Sequence, residues 1–420
     1  MAQKDEDNIR FGLWHRHDKL RRIALRAPSS YLHIWLEPMN RLFPRLEDLS
    51  LLSTTIEETS LMLPKTLQAP DLRQRHLALH GIGLSTGSPL LSSAIALSSL
   101  SLTQIGASCY FSPRHLVAQL QGLPHLEELS VGFAIPIPLP SSEGDLLPAP
   151  MLPVTLPALR RLTFRGVDAY LENLVTQIIT PHLERLRVTL FFDLTFILLN
   201  LTELIHRAEG FGCLVARVVF NRNGPSIDMG YSEQWGIGPI GEFGLHVKCS
   251  PLDWKIDSIT QVCGALAKVV CTIEELTIDL DVNGMPSGWE NTLDNTMWHE
   301  LLLSFSGVKK LRIGSSLAPE LSQALGSATG GLVLELLPEL RELEVQIEID
   351  DAKKVFSGFV ETRKSIGRPV HLSPPIQHAD QDQQAQSSKS SRVRRAPTLS
   401  YLPNRLLVST VEQLFTRNLL

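Results

Sequence analysis

A short pattern of apolar and polar positions recurs along most of the chain. Its clearest copy is LPALRRLTF, residues 156–164, in which Leu159, Leu162 and Phe164 follow the spacing L-x-x-L-x-φ, where φ is an apolar residue. The last two apolar positions are two residues apart, so they lie on one face of an extended strand, while the residues between them lie on the other face. Each copy therefore predicts one short strand that is apolar on one side and polar on the other.

The copies follow one another at an irregular but repeating distance, which indicates an internal repeat. We place the first apolar residue of each copy at Leu20, Leu46, Leu72, Leu97, Leu126, Leu159, Leu183, Val215, Leu245, Ile273, Val308 and Leu340. Their mean spacing is roughly 29 residues, at the long end of the range typical of leucine-rich repeats. One such strand cannot bury its apolar side alone, so we expect the strands to stack in parallel over a common core.

Several segments between the strands have helical periodicity. The clearest lies at 112–123, where Ser112 is a plausible N-cap and Pro113 occupies the first turn. Further helices are predicted at 168–179, 257–270, 291–305 and 350–367, the last as a cap of the array. Alternating strands and helices predict an α/β fold. We expect an irregular leucine-rich-repeat-like solenoid, with parallel strands on the concave face and helices or loops on the convex face.

The pattern and the local composition divide the chain into four segments. Residues 1–19 form a polar N-terminal extension, and residues 20–370 form the solenoid with its C-terminal capping helix. Residues 371–400 are polar and rich in Pro, Gln and Ser, which predicts a disordered linker. Residues 401–420 turn apolar again and suit an amphipathic helix. Within the array, the proline-rich stretch 136–153 predicts an exposed loop.

Composition and charge exclude several classes of protein. The 420 residues are 43% hydrophobic and 20% charged, as expected of a core-forming chain, and the net charge of −5 gives no case for nucleic acid or an anionic membrane. The most apolar run, residues 190–201, is too short to span a bilayer, and the N-terminus lacks the apolar segment of a signal peptide. We therefore expect a cytoplasmic or nuclear protein with no membrane partner. Five cysteines without C-x-x-C spacing predict reduced thiols and no zinc site.

Several phrases, taken in order, resemble one known family. They are DKLRRIALRAPSSYLHIWLEPMNRLFPRLEDLSL, LPHLEELSVGF, LPALRRLTFRGVDAYLENL and SPLDWKIDSITQV. These phrases are similar to the large fungal family of F-box-type leucine-rich-repeat proteins, and the resemblance extends over roughly residues 13–375. It implies an α/β horseshoe that presents a substrate to a Skp1–cullin ubiquitin ligase.

Two family features are missing. The F-box is a helical module that precedes the repeats, and no such module is found before Leu20. We therefore expect a Skp1-type adaptor to bind only if an F-box is supplied upstream, and a truncated gene product, a divergent copy and a stand-alone scaffold all stay open. The asparagine ladder of regular repeats is absent too, because Thr54, Ile105 and Ala134 occupy its position. This absence favours irregular repeats.

Arginines occupy polar positions of the central strands. Arg161, Arg165, Arg185, Arg187 and Arg217 are predicted to lie on the solvent side of three neighbouring strands and to form a basic stripe. Acidic residues flank it on both sides: Asp48, Glu128, Glu275, Asp279, Glu342 and Glu344. Because like charges on adjacent strands cost stability, the stripe suggests an anchor for an acidic or phosphorylated segment of a protein partner. The competing interpretation is a solvated face. The anchor hypothesis fails if the guanidiniums are dispersed or paired with carboxylates of the same chain.

No catalytic constellation stands out in the sequence. It has no G-x-S-x-G, H-E-x-x-H or P-loop motif, and the glycine-rich stretch 230–244 predicts a turn rather than a nucleotide site. His76 and His80 lie in a strand-like run, where their Cα atoms would be roughly 13 Å apart, too far to share a metal. We therefore predict a non-catalytic protein-interaction scaffold without a cofactor, similar to the substrate-recognition part of an F-box-type ligase receptor. A stand-alone scaffold is the alternative, and an enzyme with an unrecognised site is a remote one.

Overall fold

The computed structural model describes residues 3–55, 61–69, 76–84, 88–137, 152–193, 195–207, 213–234, 238–249, 252–281, 295–326 and 336–373. Within these residues the chain is a mixed α/β protein built on a large, mostly parallel sheet. Leu72, most of the predicted proline-rich loop, and the predicted linker and C-terminal helix from residue 374 onward lie outside the described residues.

The secondary structure alternates between strands and helices. The strands are β1 (Arg22–Ala27), β2 (Asp48–Ser53), β3 (Leu61–Met62), β4 (His76–His80), β5 (Ile82–Gly83), β6 (Ser99–Ile105), β7 (Glu128–Phe133), β8 (Val154–Thr155), β9 (Arg161–Gly166), β10 (Ile178–Ile179), β11 (Arg185–Phe191), β12 (Val215–Asn221), β13 (Gly224–Gln234), β14 (Gly238–Lys248), β15 (Glu275–Leu280), β16 (Lys310–Ile313), β17 (Glu342–Val345) and β18 (His371–Ser373). The helices are α1 (Gln3–His15), α2 (Ser29–Leu36), α3 (Pro89–Ser93), α4 (Pro113–Leu120), α5 (Asp168–Thr176), α6 (Leu199–Arg207), α7 (Leu252–Ala265), α8 (Ala267–Val270), α9 (Asn295–Leu303), α10 (Ala318–Gly326) and α11 (Ile349–Ser365).

In the described part of the chain, fourteen strands form the main sheet in the order β1-β2-β4-β6-β7-β9-β11-β14-β13-β12-β15-β16-β17-β18. Every neighbouring pair is parallel except the two pairs that include β13, which is antiparallel to both β12 and β14. The short strands form two small parallel pairs, β3 with β5 and β8 with β10. The prediction of a parallel sheet built from the repeated phrase is confirmed, apart from β13.

The first apolar residue of a repeat lies in a turn, two residues before the strand. Leu126 and Leu159 are fully buried, and their backbone N–H groups donate to carbonyls three residues earlier, at 3.2 and 3.3 Å. Two successive N–H groups then bond to one carbonyl of the preceding repeat, as Glu184 and Arg185 do to Arg160 O at 2.8 and 2.9 Å. This turn sets the register of each new strand on the previous one, which explains the L-x-x-L spacing.

Helices cover the apolar face of the sheet. The ring of Phe164 on β9 stacks on Tyr170 of α5 with centroids 5.7 Å apart, and Phe220 on β12 meets Trp298 of α9 edge-on at 5.5 Å. Neighbouring helices contact one another from α4 through α5 to α6, and from α7 through α9 and α10 to α11. The apolar side chains of both layers form one core.

The helices predicted from periodicity are present with shifted ends. The helix predicted at 112–123 is α4, and the Ser112 hydroxyl accepts a bond from the His115 N–H at 3.3 Å, as an N-cap does. The helix predicted from Asp257 begins earlier, at Leu252, and the one predicted from residue 291 begins at Asn295. No helix among the described residues has the length and apolarity needed to cross a bilayer.

A hairpin in the middle of the chain changes the predicted strand order. Residues 224–234 and 238–248 form β13 and β14, so the predicted turn at 230–244 consists largely of strand. β14 pairs with β11, so β14 and β13 lie between β11 and β12. Val215 pairs with Glu275, the first residue of β15, and Leu245 pairs with Val188 within β11. Both residues therefore lie inside strands, whereas we predicted them at the first apolar position, which lies in the turn before a strand. Strand β13 begins at Gly224, after the short turn that follows β12. The φ of Gly224 is +137°, and a Cβ atom at this position would collide with the carbonyl of Val247, so only glycine fits here.

Both predicted ends of the array differ from the structure. The predicted polar extension contains helix α1, in which Leu13 is buried and Trp14 stacks under the Arg41 guanidinium at 4.4 Å. At the other end, His371–Ser373 pair with β17, so the sheet continues past the predicted boundary at residue 370. The capping helix α11 buries Arg363 completely, and its guanidinium donates to Leu340 O at 3.1 Å.

Candidate interaction surface

The face of the main sheet opposite the helices carries alternate side chains of every strand, and we call it the polar face. Strand register aligns these side chains into rows that run across the sheet. On β9 the polar face contains Arg161, Thr163 and Arg165, while Leu162 and Phe164 point into the core. The sequence pattern alone predicted which side chains share this face, because strand side chains alternate.

The five arginines of the predicted stripe all lie on the polar face, but not on three neighbouring strands. Arg161 and Arg185 are directly opposite each other on β9 and β11. Arg217 lies on β12, which is separated from β11 by β14 and β13. The predicted stripe is therefore interrupted by the hairpin. The antiparallel strand β13, which the repeat pattern does not predict, supplies Asp228 at the position between Arg187 and Arg217.

Three of the five arginines form ion pairs within the chain. Arg161 pairs with Glu128 and Arg187 with Asp228, and Arg217 Nη2 lies 2.9 Å from Asp279 Oδ2. Glu128 and Asp279 are flanking carboxylates that the sequence analysis had singled out. By the criterion stated above, the hypothesis of a free anchor is wrong for Arg161, Arg187 and Arg217, because a neighbouring strand already supplies the opposite charge.

The other two arginines have different surroundings. The Arg165 guanidinium lies 5.5 Å from the ring centroid of Phe191, at the end of β11. Its Nε is buried and has no hydrogen-bond partner among the described residues. Arg185 is exposed at the opposite end of β11 and has no ion pair with a described residue. These two side chains are the members of the predicted stripe that stay available to a partner.

An ion-pair network neutralises the polar face on β15, β16 and β17. Lys310 Nζ lies 2.9 Å from Glu342 Oε1 and 3.4 Å from Glu344 Oε2, and Arg312 Nε lies 3.1 Å from the same Glu344 oxygen. Burial alone raises the pKa of Glu342, but hydrogen bonds from Lys310 and Ser373 outweigh it, so this pKa lies below its usual value. The charges of these side chains are paired with one another, although Glu344 Oε1 is buried with no hydrogen-bond partner among the described residues, and the pairing points to a structural role.

Two histidines of the polar face were not identified as site residues from the sequence. His80 lies on strand β4, as its strand-like surroundings predicted, and its Nδ1 is 3.0 Å from Thr103 Oγ1. Burial lowers the pKa of His80, and the positive charges of Arg165 and Arg26 lower it further. Burial and Arg165 likewise lower the pKa of His246 on β14, against the opposing effect of Asp228. Both imidazoles are therefore predominantly neutral at pH 7.

The described residues contain no group of three or more His, Cys, Asp or Glu side chains arranged to hold a metal ion. No protein-family model matches the chain, and no curated protein matches it at a significant level.

Proposed function

We propose that this chain is a non-catalytic protein-interaction scaffold and that its architecture is an irregular leucine-rich-repeat-like solenoid. The observation that carries the proposal is the difference between the two faces of the sheet. One face is covered by helices and forms the core, while the other displays rows of polar and charged side chains across neighbouring strands. Arrays of this kind bind partners along such an extended face.

Within this proposal, the partner is a protein with an acidic or phosphorylated segment. Arg165 and Arg185 supply charge on the polar face that no described carboxylate neutralises. Arginine suits both carboxylates and phosphates because its planar guanidinium donates two parallel hydrogen bonds. The protein acts in the cytoplasm or nucleus.

The more specific form of the proposal is substrate recognition for an F-box-type ubiquitin ligase. It rests on the resemblance of the repeat phrases, and it requires an F-box to contact a Skp1-type adaptor. A stand-alone scaffold with no ligase link is the alternative. Affinity purification of the natural protein separates them, because a Skp1-type adaptor co-purifies in the first case and does not in the second.

One buried cluster bears on the remote enzyme alternative. Cys249 follows β14 and lies near Lys255 and Ser258 of α7. Burial raises the pKa of the Cys249 thiol and lowers the pKa of Lys255, so both groups are driven towards their neutral forms. A protonated, buried thiol is a poor nucleophile. This cluster therefore supports a packing role.

Affinity capture with paired charge reversals tests the proposal. One variant carries Arg165→Glu and Arg185→Glu on the polar face. The matched control carries Arg207→Glu and Lys354→Glu on α6 and α11, where both side chains are more than three-quarters exposed, at 77% and 78%. We expect the control to retain the partners captured by the wild-type chain and the polar-face variant to lose them. Loss from the control alone would contradict the proposal.

A further inference from the structure

Strand register brings positively charged and titratable side chains from distant parts of the sequence to one level of the polar face. On one side, Arg26 of β1 and His80 of β4 both align with Leu52, which lies between them. On the other side, Arg165 of β9 and His246 of β14 both align with Thr189. We call the following residues the cationic row: Arg26, His80, Arg165, His246 and, one polar-face position further along β14 and opposite Phe191, Lys248.

The two halves of the row meet at Arg165. Gly132 aligns with Arg165 on the adjacent strand, and Thr103 lies next to that glycine and bonds to His80. With no side chain at residue 132, the space between Arg165 and Thr103 stays open. The charge of Arg165 acts on both histidines, which places its guanidinium within electrostatic reach of His80 and of His246. The row is therefore electrostatically continuous.

Two cations at the β14 end of the row make cation–π contacts with the same aromatic ring. The Phe191 ring centroid lies 5.5 Å from the Arg165 guanidinium carbon and 5.8 Å from Lys248 Nζ. Phe191 itself is 5% exposed, so the cations lie between the ring and solvent. Cation–π contacts of this geometry orient a charged side chain without neutralising it. The two charges are thus held at the surface and remain available.

No described carboxylate forms an ion pair with the row. Among the described residues, no ion pair joins a carboxylate to Arg26, Arg165 or Lys248. Asp228 is the acidic group that acts on His246, and it is already paired with Arg187. This separates the row from Arg161, Arg187 and Arg217, whose charges are balanced by carboxylates on adjacent strands.

A row of small side chains borders the cationic row on β2 to β9. Its members occupy the preceding polar-face position of each strand: Ser50, Ala78, Ser101, Ser130 and Thr163. Their small size gives a bound backbone room beside the charges. From β1 to β14 the row crosses seven strand spacings, about 34 Å at 4.8 Å each, which matches about ten residues of extended chain. A single small anion cannot contact both ends.

We propose that the cationic row binds an extended acidic peptide segment of a partner protein, which crosses the strands near their C-terminal ends. This inference rests on the proposed scaffold function and assigns its site. The chain's own segment 388–395, SKSSRVRR, is basic and therefore not complementary. Nucleic acid fits the row less well, because the ring at its β14 end, Phe191, is buried and offers no face for base stacking.

The two histidines make this binding dependent on pH. The groups that act on His80 are Arg26 and Arg165, and those that act on His246 are Arg165, Lys248 and Asp228. Net positive surroundings and burial keep both pKa values low in the free protein. A bound row of carboxylates favours the protonated imidazoles, so binding takes up protons. The affinity therefore increases as the pH falls from 7.5 to 6.

Fluorescence anisotropy on the full chain tests the site with a labelled dodecapeptide, (Glu-Gly-Ser)4, whose glutamates are about 10 Å apart when extended. The neutral control is (Gln-Gly-Ser)4. We expect the glutamate peptide alone to bind, about threefold or more tightly at pH 6 than at pH 7.5, because its own carboxylates stay ionised over that range. The combined variant His80→Gln with His246→Gln should bind with little pH dependence.

Three arginine variants locate the contact. Arg165→Ala should weaken binding about tenfold, as expected for the loss of a charge-assisted contact. Arg207→Ala, which removes an exposed arginine of α6 in the helix layer, should bind like the wild type. Arg165→Lys keeps the charge and should retain more affinity than the alanine variant, and a thermal unfolding curve shows whether each variant is folded.

Several results would overturn the inference: equal weakening by Arg165→Ala and Arg207→Ala, no binding of the glutamate peptide, or tighter binding of a single-stranded oligonucleotide than of the peptide. If the peptide fails to bind while affinity capture still depends on the polar-face arginines, the acidic-segment site is wrong and the scaffold proposal stands. If charge reversal of the polar-face arginines also leaves the captured partners unchanged, the scaffold proposal fails as well.

Discussion

Arg187 and Asp228 form an ion pair that passes over the backbone of Gly244, and this pair joins three strands of the hairpin region. The three residues are aligned on β11, β13 and β14, with Gly244 in the middle. A side chain at residue 244 would occupy the space that the guanidinium and the carboxylate now fill. The missing side chain of one strand thus allows the charge pair between its two neighbours, and it removes Arg187 from the surface available to a partner.

Replacing Gly244 with alanine should destabilise the protein. The added methyl group displaces the Arg187–Asp228 pair from its position, and we expect a loss of about 1–2 kcal/mol in the free energy of unfolding, as for other packing conflicts of this size. The control is Gly264→Ala on α7, where nothing lies within 4 Å of the added atom and alanine favours the helix. Urea denaturation curves that coincide for Gly244→Ala and the wild type would refute the ion-pair geometry.

Truncating the first apolar residue of a repeat should be costly even though it lies outside the strand. Leu159 is 0% exposed, so Leu159→Ala leaves a cavity and should lower the free energy of unfolding by about 3 kcal/mol. Leu152, in the same part of the chain, is 87% exposed, and Leu152→Ala should change stability by less than about 0.5 kcal/mol. Chemical denaturation compares the two. Similar losses at both positions would show that the buried turn does not organise the repeat.

Glu172 of α5 should stabilise the start of the next helix. Its carboxylate accepts the backbone N–H groups of Asn200 and Leu201 at 2.8 and 2.9 Å, at the N-terminus of α6, where the first N–H groups have no partner within the helix. Glu172→Ala should cost about 1–2 kcal/mol. Glu203→Ala, which removes an exposed carboxylate within α6, serves as the control and should have little effect. Hydrogen exchange of the Asn200 and Leu201 amides should accelerate in the first variant only.

The stability contributed by Glu342 should vanish in acid. Because hydrogen bonds from Lys310 and Ser373 outweigh burial and lower its pKa below 4.5, the contribution is fully present above the unfolded pKa and is lost as the pH falls through the folded pKa. Unfolding curves of the wild type and Glu342→Gln should therefore differ at pH 6, and the difference should shrink as the pH falls below the unfolded pKa and through the folded pKa. Glu339→Gln, at an exposed carboxylate nearby, provides the baseline. A difference that grows in acid would contradict the assigned ion pair.

One cysteine should react in the native protein and four should not. Cys271 is exposed, whereas Cys109, Cys213, Cys249 and Cys263 are buried, and burial raises the pKa of Cys263 far above that of a free thiol. Brief treatment with iodoacetamide at pH 8 should add one carbamidomethyl group, located on Cys271 by mass spectrometry. Unfolding in urea should expose all five thiols. Modification of a second cysteine under native conditions would contradict the packing of that residue.

The sequence predicted the features that neighbouring residues determine, and it did not predict those that depend on residues far apart in the chain. The strand at 161–166 and the helix at 113–120 depend on alternation, helical periodicity and capping, which act within a few residues, and both were predictable. The hairpin was not, because its long strands lie in a glycine-rich stretch whose turn signals mask the alternation. The ion pairs of Arg161 and Arg217 were not predicted, although their carboxylate partners had been noted as flanking residues. An ion pair across strands depends on the strand register as well as on which charged residues are present.

By itself, the sequence determined the repeating unit, the side of each strand that enters the core, and the residues that reach the polar face. These follow from local spacing, because a strand side chain can point only to one face or the other. The tertiary structure alone decided that β13 and β14 separate β11 from β12, and that Asp228 neutralises Arg187. It also decided that Arg165 shares a row with His80 and His246. Charges on different repeats become neighbours only when the stacking order and register are fixed, and the packing of the whole sheet sets both.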